Sequence, residues 1–211
     1  ALGAGFIRVF GDVVPPLDRA SERAQAIDLI AAGLNRLGGL AAPLGIDIVI
    51  ETHGDFSDSK LLAELLHRVD EPHVGVLWDT HHPWRFCGES VEETWSRLSR
   101  WVRHTHWKDS VAAASEPATA ASVAAEAHAK QLMSGHRPAA YVPFGAGDFP
   151  IGRAAQLLRS AGYAGWFCYE WELAWHPELA PPEQVFPEFP PRLRAAWSAS
   201  MTNTGDVQEI R

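Results

Sequence analysis

Short runs of branched and aromatic residues alternate along this chain with longer stretches whose apolar residues recur at helical spacing, and that order dictates how the strands pair. Phe6 to Phe10 reads as a first strand. Asp18 to Ala42 reads as a helix with Asp18 as its N-cap and Ile27, Ile30, Leu34 and Leu37 at helical spacing. Ile46 to Ile50, Val74 to Trp78, Val102 to Trp107 and Trp166 to Trp171 are four further strands. Helices are expected over Ser57 to Val69, Ser90 to Trp101 and Gly152 to Gly162. Strand, helix, strand in strict succession means parallel pairing through right-handed crossovers, and so an α/β fold of barrel type. The long break after the fourth strand reads as an insertion over about 110–143, with an alanine-rich part, Val111 to Lys130, able to hold a helix. Prolines beyond Trp175 are expected to delay a long helix until Arg192, and 199–211 reads as a polar tail.

Composition narrows the class. With 211 residues, 46% hydrophobic and 21% charged, the chain can build one sizeable core, and residues 1–198 are read as one domain. A net charge of −8 without a basic cluster disfavours nucleic acid as a partner. No apolar run reaches the ~20 residues of a membrane span. Cys87 and Cys168 are far apart in sequence and form no CxxC pair, which fits two reduced thiols and a cytoplasmic setting.

The chemistry gathers at the strand ends. The second strand runs into Glu51 and His53, the third into Asp79, His81 and His82, the fourth into His106, Lys108 and Asp109, and the fifth into Glu170 and Glu172. The carboxyl rim of a parallel barrel is where active sites sit. Glu51 and Asp79 are 28 residues apart and Asp79 and His106 are 27 apart, near the ~31 of one strand–helix unit. Alone, Glu51 or Asp79 reads more readily as an ion-pair partner, and His106 as a hydrogen-bonded core histidine. Together, three carboxylates and an imidazole at one mouth repel and desolvate one another unless a cation neutralises them. The oxygen-rich set favours one Mn²⁺ or Mg²⁺, with Co²⁺ or Zn²⁺ compatible with the imidazole.

"GIDIVIETH", "VGVLWDTHH", "VRHTHWKD" and "VPFGAGDFPI…LLRSAGYAGWFCYEWE" resemble the last four strands of the xylose isomerase-like TIM barrels, the sugar phosphate isomerase/epimerase group. The resemblance implies metal ligation by Glu51, Asp79, His106 and Glu170, acid–base catalysis by Glu51 and Glu170, and substrate contacts from His53, His82, Lys108, Glu172 and Trp84. It implies a divalent-metal-dependent isomerase or epimerase of a small sugar, sugar phosphate or polyol derivative, with the metal carrying the charge of an enediolate. Three alternatives stay open: a lyase dehydrating an inosose-like or dehydroshikimate-like substrate, DNA repair of the endonuclease IV kind, and a non-catalytic truncated barrel. The DNA repair reading is disfavoured by the acidic charge and by the lack of a further Asp-x-His after the fourth strand.

The family has eight strand–helix units, and five strands are counted here. The expectation is therefore an incomplete barrel lacking the first three units, with unpaired edges that lead the chain to associate as a homo-oligomer.

Overall fold

The computed structural model describes residues 3–113 and 139–199. Strand β1 (Phe6–Val9) leads to α1 (Ala20–Ala41), β2 (Asp47–Glu51), α2 (Ser59–Leu66), β3 (Val74–Asp79), α3 (Val91–Leu98) and β4 (Val102–Trp107). A ribbon of β5 (Asp109–Ala112) and β6 (Ala139–Val142) precedes α4 (Ile151–Ser160), β7 (Phe167–Tyr169), the single turn α5 (Pro182–Val185) and α6 (Phe189–Ala199). Strands β1, β2, β3, β4 and β7 pair in that order, all parallel, as an open half-barrel with helices around it.

Alternation along each strand separates two environments. Ile48, Ile50, Val76, Trp78 and Trp107 meet Ile27, Leu34, Leu62, Leu65 and Leu158 in the core between sheet and helices. The alternate residues line the concave face, apolar at Val49 and Leu77 and then acidic or imidazole-bearing toward the carboxyl ends. β4 carries a bulge between its pairings with Val76 and Leu77. There Gly75 is obligatory: a Cβ on it would lie 2.5 Å from Arg103 Cγ and 2.8 Å from the Trp101 carbonyl oxygen.

Helix ends follow cap chemistry with two departures. Asp58 caps α2, its carboxylate accepting the amides of Lys60 and Leu61, and Ser90 forms a capping box with Glu93 at α3. Asp58→Ala is expected to lower stability by about 1 kcal/mol, seen as a lower urea midpoint at unchanged slope. Asp18, in contrast, caps nothing. It lies inside a 3-10 turn, Leu17–Arg19, and Arg19 occupies the N-cap position of α1 without a side-chain bond. α6 starts at Phe189 rather than Arg192, because Pro190 and Pro191 fall in its first turn, where backbone N–H groups have no intrahelical partner to lose.

The start and end of the expected insertion pair as the antiparallel ribbon β5–β6. Val111 and Ala112 are thus strand, Ala113 is in neither strand nor helix, and 114–130 of the alanine-rich helix expected there lie outside the described residues, as do 200–211. At the β1 edge Ile7, Phe10, Val13 and Leu17 are exposed, and Leu29, Leu37 and Leu40 are exposed on α1. Among the described residues no helix is long and apolar enough to cross a membrane.

Candidate active site

The four expected ligands converge. Glu51 ends β2, Asp79 ends β3, His106 is the penultimate residue of β4, and Glu170 follows β7 directly. Register aligns Asp79 with His106 and His106 with Cys168. One ligating atom from each of Glu51, Asp79, His106 and Glu170 lies within 4.8 Å of the others. Asp79 Oδ1 accepts the amides of His81 (2.9 Å) and His82 (3.0 Å), which aims its second oxygen. Glu51 Oε1 accepts from His106 Nδ1 at 3.0 Å. The remaining oxygens, Glu51 Oε2 and Asp79 Oδ2, are buried without a hydrogen bond. Cations stand near both: Arg8 Nη1 is 3.3 Å from Glu51 Oε2 and Lys108 Nζ is 3.0 Å from Asp79 Oδ2, in each case at ion-pair distance without hydrogen-bond alignment. Two buried carboxylate oxygens lacking donors, with a third carboxylate and an imidazole beside them, fit a divalent cation.

Charge sets the protonation states. Burial works against the charged form of His106, but hydrogen bonds with Cys168, Glu170 and Glu51 outweigh it and raise its pKa to about 11. Burial likewise pushes Glu170 up, yet His106 and Lys108 outweigh it and hold the carboxyl well below its ordinary range. A cation that takes His106 must therefore displace its proton. Apparent affinity for Mn²⁺ is expected to rise about tenfold per pH unit between about pH 6 and 8. Calorimetry in buffers of different ionisation enthalpy should show proton release, and a pH-independent affinity would contradict this.

The substrate-side residues divide. Lys108 is fully buried and forms a hub, with Nζ 2.6 Å from Glu170 Oε2, 2.7 Å from Glu172 Oε1 and 3.0 Å from His82 Nε2. Facing carboxylates outweigh burial and raise the Lys108 pKa well above its ordinary value. His82 is neutral, since burial and then Lys108 push its pKa down. Its Nδ1 lies 2.8 Å from the Thr52 carbonyl oxygen, so Nδ1–H donates there and Nε2 accepts from Lys108. His53 stands beside it, with ring centroids 5.4 Å apart. Trp84 is set differently. It packs on Phe149 and carries Arg85 on its face, lining a cleft of about 570 Å³ with Gly88, Glu89 and Ala112.

Several placements differ from what spacing suggests. Lys108 pairs with Glu172 and not with the adjacent Asp109. Asp109 instead accepts four amides, from Ser110, Gly145, Gly147 and Phe149, so the Gly-Ala-Gly loop cradles a carboxylate of its own chain. A Cβ on Gly147 would fall 2.2 Å from Asp109 Oδ1. Trp107 lies in the core, its indole N–H donating to Thr105 Oγ1 at 2.9 Å. Trp175 is largely exposed, and the Trp171 indole N–H donates to the Ala180 carbonyl oxygen. His81 is wholly buried, with Nε2 2.7 Å from Ser110 Oγ. Arg8 escaped the sequence reading although it touches both catalytic candidates, reaching Glu170 Oε1 at 3.2 Å. Its signal was a lone charge in the middle of an apolar strand, on the face shared with Phe6 and Phe10.

Residues 1–195 match the protein family described as xylose isomerase-like TIM barrel. The inosose dehydratase of Geobacillus thermodenitrificans (strain NG80-2) is 29% identical over 149 residues, which make up 69% of this chain and 47% of that enzyme. The chain thus spans about half the length of this curated relative. An L-ribulose 3-epimerase structure superposes with a TM-score of 0.64 at 11% identity, over 93% of this chain and 60% of that one. A xylose isomerase-like TIM barrel protein from Mycobacterium smegmatis, solved in complex with magnesium, gives a TM-score of 0.61 at 17% identity, over 94% and 62% of the two chains.

Proposed function

The chain belongs to the xylose isomerase-like TIM barrel family, and from that premise we propose that it carries the divalent-metal and acid–base machinery of an enzyme that enolises a small keto-cyclitol or keto-sugar and eliminates water from it. The observation that carries this reading is the ring of Glu51, Asp79, His106 and Glu170, with two buried oxygens lacking hydrogen bonds. The similarity to an inosose dehydratase supports elimination as the outcome.

A divalent cation held by the four residues would supply positive charge for an oxygen that becomes an enolate. Glu170 has the most accessible of the three carboxylates, its side chain 30% exposed where that of Glu51 is 1% and that of Asp79 is 0% exposed. That accessibility supports Glu170 as the group that takes the proton beside the substrate carbonyl. Returned to a hydroxyl on the next carbon, that proton leaves with it as water and the carboxylate is restored. Lys108 stays an ammonium throughout and holds Glu170 and Glu172 in position, while His82 is kept neutral and hydrogen-bonded on both nitrogens.

Epimerisation is the second reading. It is favoured by the placing of Glu51 and Glu170 about one imidazole nitrogen, their oxygens 3.0 and 3.4 Å from His106 Nδ1. Two such carboxylates can take a proton from one face of a carbon and return one to the other. Incubation of an inosose with the Mn²⁺-loaded protein in D₂O separates the readings. Loss of water supports the dehydratase, and deuterium gained at one carbon without loss of water supports the epimerase. An inosose and a ketohexose that both emerge unchanged would overturn both.

A further inference from the structure

Below the carboxylate ring the concave face carries a second cluster with different donor chemistry. One ligating atom each from His104, His106 and Cys168 lies within 4.8 Å of the others. His104 and His106 alternate along β4 with ring centroids 5.6 Å apart, and Cys168 is the register partner of His106 on β7. His104 Nδ1 is buried without a hydrogen-bond partner, while Cys168 lies at the surface. We propose that His104, His106 and Cys168 form a seat for a thiophilic divalent cation of the zinc class, distinct in chemistry from the carboxylate ring and coupled to it through His106.

The donor sets separate the two seats. Three carboxylates and one imidazole suit Mn²⁺ or Mg²⁺, whereas a thiolate with two imidazoles suits Zn²⁺ or Co²⁺. Three protein ligands leave one tetrahedral position open, and the exposure of Cys168 puts that position within reach of solvent. Binding releases to solvent the protons carried by the Cys168 thiol and the His106 imidazolium and forms metal–sulfur and metal–nitrogen bonds in their place, with no change of oxidation state. Because His106 belongs to both groups, filling the thiol seat competes with the carboxylate seat for that ring. Zinc is then expected to weaken Mn²⁺ binding.

Cobalt reports the thiol directly, because cobalt–thiolate bonds absorb in the near ultraviolet. Titrating the metal-stripped protein with Co²⁺ is expected to produce a saturable charge-transfer band that added Zn²⁺ abolishes. The band should vanish in Cys168→Ser, weaken in His104→Ala and in the gentler His104→Gln, and survive in Cys87→Ser. It should also survive in the double variant Glu51→Gln, Asp79→Asn, whose carboxylate seat is disabled. Circular dichroism identifies any variant that fails to fold. Absence of the band in the parent chain overturns the proposal, as does its persistence in folded Cys168→Ser or its loss in the folded carboxylate double variant.

Discussion

Turnover by Glu170→Gln is expected to fall by about 10²- to 10⁴-fold, the usual contribution of a positioned acid–base group. Glutamine keeps the shape of the side chain and one oxygen to accept from Lys108, so the fold should survive. What it loses is the negative charge that accepts a proton. Glu170 lies outside the regular part of β7, with a partly open side chain, Arg8 on one oxygen and Lys108 and His106 on the other. Lys108 and His106 keep it ionised, and its exposure gives a substrate access that Glu51 lacks. The measurement is kcat at saturating Mn²⁺, alongside the Mn²⁺ affinity of the same variant. A folded, metal-saturated variant that retains more than a tenth of the parent turnover would rule out the proton-transfer role.

Lys108→Met carries the largest expected effect on stability, about 3–5 kcal/mol in the metal-free protein, because removing one member of a buried ion cluster leaves its partners uncompensated. Methionine retains the apolar stem and removes the ammonium. Asp79, Glu170 and Glu172 then face one another around a buried space without the charge that lies 3.0, 2.6 and 2.7 Å from them. A divalent cation engaging Asp79 and Glu170 would replace most of that charge. Saturating Mn²⁺ should therefore stabilise the variant more than the parent, by the linkage between binding and folding. Urea unfolding of both proteins with and without Mn²⁺ tests this. Equal deficits under the two conditions would show that Lys108 acts through packing rather than as a counter-charge.

Much of the site was legible because each of its main residues follows the same local pattern. The apolar bodies of β2, β3 and β4 read as strands, and a parallel sheet brings equivalent strand ends together whatever the connections do. Glu51, Asp79, His106 and Glu170 could thus be grouped before any distance was known. Asp58 and Ser90 cap α2 and α3 by acting on amides within three residues. Asp18 has the same chemistry but lies inside a 3-10 turn, and the N-cap position of α1 falls one residue later, at Arg19.

Neighbours in sequence proved a poor guide to neighbours in charge. Lys108 and Asp109 are adjacent but do not pair. The lysine turns to the carboxylates of β3 and of the segment after β7, and the aspartate turns to the amides of the 145–149 loop. Trp107 reads as a residue of the mouth from its position beside His106, yet alternation along β4 sends it to the opposite face, into the helix layer. Arg8 gave no motif, and its contacts with Glu51 and Glu170 exist only because β1 pairs with β2 while β7 curves within reach.

The order of the five main strands and the helices between them, their parallel pairing and the identity of the four converging donors were therefore determined by the sequence alone, because periodicity and strand-end position are local properties repeated in every unit. Which charges meet across the sheet was decided only by the tertiary structure. The arrangement of Arg8 against two carboxylates, of Lys108 among three, and of Cys168 beside two imidazoles depends on strand register and on the curvature of the half-barrel. Those arise from the packing of all five strands together, and no single segment encodes them.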